Sequence, residues 1–135
     1  MKPIIITKLD YTRIKESTKN ALGNGTINEK EANALLKKLN SAQLIESYFV
    51  PPNLVRMNSI VRVKFLNHNH EVDIKIVYPS DVDSSKDNVS IFSPIAAALI
   101  GFKAGDEIEW VVPAGITKMK IMEVVYQPEK EGVLL

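Results

Sequence analysis

The chain has 135 residues, 45% hydrophobic and 24% charged, the balance of a folded protein rather than a disordered one. It contains no cysteine, which excludes thiol catalysis, iron–sulfur clusters, cysteine-ligated zinc and disulfides. Its formal charge of +1 divides into +3 over residues 1–53 and −2 over 54–135; that mild asymmetry lacks the basic stripe of a polyanion binder and points to a protein partner.

The apolar run Ile4-Ile5-Ile6 is far too short for a signal-peptide core or a membrane span. The expectation is a soluble, cytoplasmic protein with no membrane contact. Thr7 followed by Asp10 has the spacing of a capping box, a hydroxyl cap with a carboxylate three residues later. Tyr11, Ile14, Thr18 and Ala21/Leu22 then recur at intervals of three and four, which predicts a helix. Gly23-Asn24-Gly25 ends it. Asn28 caps the next helix, with Glu31 at the reciprocal position, and Ala32, Leu35, Leu36, Leu39 and Ala42 form its apolar stripe. Two antiparallel helices joined by a short loop make a helical hairpin, or short coiled coil, over residues 1–50.

Val50-Pro51-Pro52-Asn53 cannot continue a helix and reads as a stiff connection. It divides the chain into a hairpin and a unit over residues 54–135 that is expected to fold alone. Beyond it the period changes to two. Val61, Val63 and Phe65 alternate with Ile60, Arg62, Lys64 and Leu66, and Val72, Ile74 and Ile76 repeat the pattern around Asp73 and Lys75. Asn67-His68-Asn69-His70 is the turn between these runs, and Asp81 to Asn88 is a polar loop. Ser93-Pro94 is a hydroxyl N-cap followed by proline at the first helical position, and the short apolar helix from Ile95 to Ile100 ends at Gly101. Ile108, Trp110 and Val112 alternate with Glu107, Glu109 and Val111; Pro113-Ala114-Gly115 turns, and Ile116 to Tyr126 is a long last strand. The fold class is therefore α+β: a helical hairpin, then four or five antiparallel strands with one short helix.

Few residues advertise chemistry. His68 and His70 share one side of a strand if extended, but no third ligand accompanies them, and asparagines flank them as in a solvated turn. Asp81, Asp83 and Asp87 with Ser80, Ser84 and Ser85 lack the glycine and terminal glutamate of a calcium loop. No phosphate-cradling glycine loop and no recognisable catalytic signature is present. No catalytic residue, cofactor or metal site is assigned, and a binding protein is expected rather than an enzyme. Glu29 and Glu31 stand at the hairpin tip. In the first turn of a helix such acids complement its dipole; at a tip they could instead hold a divalent cation in a partner's active site.

Ser93-Pro94-Ile95-Ala96-Ala97-Ala98-Leu99-Ile100-Gly101, followed by Gly105-Asp106-Glu107, closely resembles the C-terminal domain of Gre-type transcript cleavage factors. Pro113-x-Gly115 and Ile121-x-x-Val124-x-Tyr126 extend the likeness, which covers roughly residues 57–127. Over the whole chain, Ile4-Ile5-Ile6 ahead of Leu9-Asp10, Met57-Asn58-Ser59, Val77-Tyr78-Pro79 and Tyr126-Gln127-Pro128-Glu129 look like the regulator of nucleoside diphosphate kinase (Rnk) family, short-armed relatives of the Gre factors.

The resemblance implies an FKBP-like fold for the second unit. It also implies RNA polymerase as partner, at the rim of the secondary channel, with indirect contact to the nucleic acid of the transcription complex. Gre-type factors are implied to thread a long coiled coil toward the catalytic magnesium and to present two tip acids in a Gly-Asp-x-x-Glu-Asn-Ala pattern. Here Asn28 stands in place of that aspartate, and Glu31 matches the glutamate. Helices of about 15 and 17 residues give an arm of roughly 22–26 Å, about half the long-armed length. Both departures argue against cleavage. The docking segment carries over to Ser93 and Pro94, and to Phe92, where the cleavage factors usually have an acid. The expected function is thus a non-enzymatic polymerase-binding regulator that competes with cleavage factors. Two alternatives stay open: a cleavage factor using Glu29 and Glu31, and a prolyl isomerase of the FKBP fold, which would need a pocket-floor tryptophan that Trp110, in a strand, does not supply.

Overall fold

The computed structural model describes residues 4–46, 50–83, 87–112 and 115–127, with the side chains of 110–112 outside that set. Pro113, Ala114, Ser84, Ser85, Pro128 and Glu129, named above in the turn, the polar loop and the C-terminal resemblance, lie outside it as well.

Strand β1 (Ile5–Thr7) leads directly into helix α1 (Lys8–Gly23). Thr7 caps α1 as its spacing predicts, its Oγ1 accepting from the Asp10 amide at 3.0 Å. Helix α2 (Glu29–Asn40) is capped by Asn28, whose Oδ1 accepts from the Glu31 amide at 2.8 Å. Ile14, Thr18 and Ala21 on α1 face Ala32, Leu35 and Leu39 on α2, all buried. At 1.5 Å per residue the 16 and 12 residues of the two helices span about 24 and 18 Å.

Helix α2 is shorter than its stripe suggests. Ser41 ends it, and Gln43–Ile45 form strand β2, parallel to β1 with Ile5 opposite Gln43. The apolar pair Leu44-Ile45 serves a two-stranded sheet at the base of the hairpin.

The second unit is a five-stranded sheet in the order β5-β4-β3-β7-β6. Its strands are β3 (Ile60–Phe65), β4 (His70–Val77), β5 (Asn88–Ser90), β6 (Glu107–Val112) and β7 (Gly115–Tyr126). The antiparallel expectation holds for β3–β4, β3–β7 and β6–β7, but β4 and β5 run parallel, so the sheet is mixed. The reason is topological. After β4 the chain makes a 3-10 turn at Pro79–Asp81, and β5 then runs in the same direction as β4. Three-residue β5 carries too little alternation to be read as a strand from its sequence.

Alternation places Val61, Val63, Ile74, Ile76, Met119 and Ile121 inside. Arg62 lies on the outer face, bridging Asp73 at 3.0 Å and Glu123 at 3.2 Å. Helix α3 (Pro94–Leu99) covers the inner side with Ala96 and Leu99.

The hairpin and the sheet share one core. Ile4, Ile6, Ile14, Leu35 and Leu39 belong to the same buried cluster as Val55, Met57, Ile76 and Leu99. Backbone contact reinforces it: the Ile5 amide donates to the Gly101 carbonyl at 3.0 Å. Gly101 is required there. Its φ is +86°, and a Cβ would stand 2.9 Å from the Ile4 Cβ and 3.2 Å from the Ile5 carbonyl oxygen.

Candidate functional site

The segment from Ser90 to Gly101 is held by its own short-range bonds. Ser93 Oγ accepts from the Ala96 amide at 3.4 Å and donates to the Ser90 carbonyl at 2.7 Å. The Ser93 amide donates to the same carbonyl at 2.9 Å, and the Phe92 amide to Ser90 Oγ at 3.1 Å. The Ser93 hydroxyl is therefore committed to shaping the turn. Pro94 is exposed, while Phe92 and Ser93 are half-buried.

The hairpin lies against this segment rather than projecting away from it. Ile27, in the hairpin loop, packs with Ala21 and Ala32 in a small buried cluster, and Phe92 packs against that cluster. A groove of about 350 Å3 runs between α2 and α3, with Ile27, Glu31 and Lys38 on one wall and Phe92, Pro94 and Ala97 on the other. The sequence singled out Phe92–Pro94 and the tip acids separately; the fold brings Glu31 and the Phe92–Pro94 segment to one groove. Glu29 and Glu31 are both exposed. Glu31 is engaged in the cap of α2, its Oε1 accepting from Asn28 Nδ2.

Lys38, which the sequence places only off the centre of the α2 stripe, reaches across the groove. It lies at the edge of the apolar stripe of α2, four residues after Ala34 and three after Leu35, with a long stem able to cross the groove. Its Nζ donates to the Ala97 carbonyl and, at 2.9 Å, to the Ala98 carbonyl, and sits 4.9 Å from the centre of the Phe102 ring. Burial pulls its pKa from 10.5 down to about 7.

A second polar contact crosses the boundary at the base of the hairpin. Asp10 has the spacing of a capping-box acid, yet it reaches the stretch just past the linker. Its carboxylate accepts from Arg56 Nη2 at 2.8 Å and Nε at 3.1 Å, and from the Met57 amide at 3.1 Å. Asp10 is 2% and Arg56 1% exposed. A fork-shaped guanidinium on a planar carboxylate suits such burial, because two parallel hydrogen bonds join the two charges.

His68 and His70 are exposed in and beside the β3–β4 turn. Among the described residues, no three His, Asp or Glu side chains are grouped so as to hold a metal ion. Nor, among them, is any helix long and apolar enough to cross a membrane.

The sequence model of the family described as "Transcription elongation factor, GreA/GreB, C-term" matches residues 50–126, from the proline linker to the end of β7. The chain belongs to the GreA/GreB transcription elongation factor family. A regulator of nucleoside diphosphate kinase from Escherichia coli K12 is 39% identical over 104 residues, 75% of each chain. The elongation factor GreA of Clostridium botulinum strain Hall is 40% identical over 86 residues, 64% of this chain but 54% of that protein. Among solved structures, a GreA/GreB elongation factor from Nitrosomonas europaea superposes with a TM-score of 0.73 at 34% identity, over 93% of this chain and all of that one. In this GreA/GreB family member the Phe92–Pro94 segment and Glu31 thus line one groove between α2 and α3.

Proposed function

We propose that this chain is a non-enzymatic transcription regulator. It docks on RNA polymerase at the rim of the secondary channel through Phe92, Ser93 and Pro94, and competes there with cleavage factors without stimulating RNA cleavage. The observation that carries the reading is the position of the tip: Glu31 lines the same groove as Phe92 and Pro94. A carboxylate assists a magnesium-dependent reaction only at coordination distance, near 2.0–2.1 Å. A tip that lies beside the docking segment has no reach past the rim. The second acid is missing as well, since Asn28 is spent on the cap of α2. Glu29 and Glu31 act mainly as first-turn acids on α2, each worth about 0.3–1 kcal/mol. Family membership supports polymerase as the partner, and any contact with DNA or RNA follows indirectly from that position. Work in the cytoplasm belongs to the same reading.

The docking residues are tested by replacing Ser93 and Pro94 together with alanine. Loss of the cap costs α3 about 1 kcal/mol, which the far-UV circular dichroism of the sheet domain should survive. Affinity for core polymerase, measured by fluorescence anisotropy, is expected to fall about tenfold, a loss near 1.4 kcal/mol. A folded double variant that binds as tightly as the parent would remove the site.

A further inference from the structure

We propose that Lys38 is a positioning residue, and that the hairpin serves as a brace holding the docking segment in its binding shape. The inference rests on the docking reading above and adds a role for the hairpin that does not depend on reach.

Helix α3 has six residues and cannot stabilise itself. Its last carbonyls lack helical partners, as at every helix end. The Ile100 amide serves Ala96, while the Gly101 amide leaves the helix for the Val55 carbonyl. Ala97 and Ala98 are the carbonyls left over, and Lys38 Nζ takes both. A cation or a donor at a helix C-terminus complements the dipole there, and the Phe102 ring below adds a second attraction. The other end of the segment is held by packing, where Phe92 rests on the Ile27 cluster. The hairpin therefore grips the Phe92–Ala98 stretch at both ends, with the groove between the two grips.

The geometry explains why the tip folds back. A free arm gains nothing from a half-buried lysine at the C-terminal end of α3 or from an apolar loop residue such as Ile27. A brace needs both. Binding benefits because a segment already held in its bound shape loses less conformational freedom on docking.

The test uses the full chain, with Lys38→Met to keep the stem and remove the donor, and Lys38→Arg to restore donation. Two quantities are read: amide exchange at Ile100 and Phe102 in the isolated protein, and affinity for core polymerase. In K38M, exchange at those amides should quicken about tenfold, and affinity should fall about fivefold to tenfold. K38R should bring both back to within about threefold of the parent. Unchanged exchange in K38M overturns the brace, whatever happens to affinity. Faster exchange with unchanged affinity overturns the positioning role. If K38M does not fold, Ile27→Ala releases the other grip and is read by the same two measurements. Failure of the docking reading is separately visible, because the Ser93 and Pro94 double variant would then bind normally while the exchange comparison still reports on the brace.

Discussion

Asp10→Ala is expected to cost about 3–5 kcal/mol of folding stability, the range for breaking a buried ion pair by removing one partner. The loss exceeds that of an ordinary cap acid because of what is left behind. Arg56 keeps its charge in a site that is 1% exposed, and the Met57 amide loses its acceptor. A domain of this size has about 5–15 kcal/mol to lose, so urea denaturation should show a large fall in midpoint. Replacing both partners by apolar residues of similar volume should recover most of it. A loss below about 1 kcal/mol in the single variant would place the Asp10–Arg56 pair among weak surface pairs and contradict the geometry.

Removing the hairpin should have a still larger effect. The proline pair suggests a boundary at which residues 54–135 could stand alone, yet the observed core runs across it. Ile4, Ile6, Ile14, Leu35 and Leu39 cover the side of the core formed by Val55, Met57, Leu99 and Ile100. Two of those, Val55 and Met57, lie in the stretch that follows the linker. We therefore propose that the boundary at residues 51–53 is one of topology and that folding is cooperative across it. The fragment 54–135 is expected to lose its sharp thermal transition and to bind a hydrophobic dye. A fragment that melts cooperatively near the temperature of the full chain would establish two autonomous units instead.

The parts of this fold that were legible in sequence are those set by near neighbours. Thr7, Asn28 and Ser93 cap helices because a cap depends on a residue and the amide three positions later. Strands β3, β4, β6 and β7 follow from alternation. What escaped depends on distant partners. Strands β1, β2 and β5 have three residues each, too few for a period, and each is defined by its partner strand. Asp10 satisfies a local motif while its partners lie 46 and 47 residues away. The candidate site divides in the same manner. Ser93-Pro94 could be read directly, whereas the approach of Ile27 to Phe92 and of Lys38 to Ala97 is a product of tertiary packing.

The central claim, docking without cleavage, is tested most directly on backtracked elongation complexes carrying end-labelled RNA. Added alone, the protein should release no short RNA; added with a Gre factor, it should slow cleavage in proportion to its concentration. Glu29→Ala with Glu31→Ala should leave that competition unchanged. If the parent protein alone releases short RNA, and the double glutamate variant does not, the tip acids do reach the catalytic magnesium and the account is contradicted.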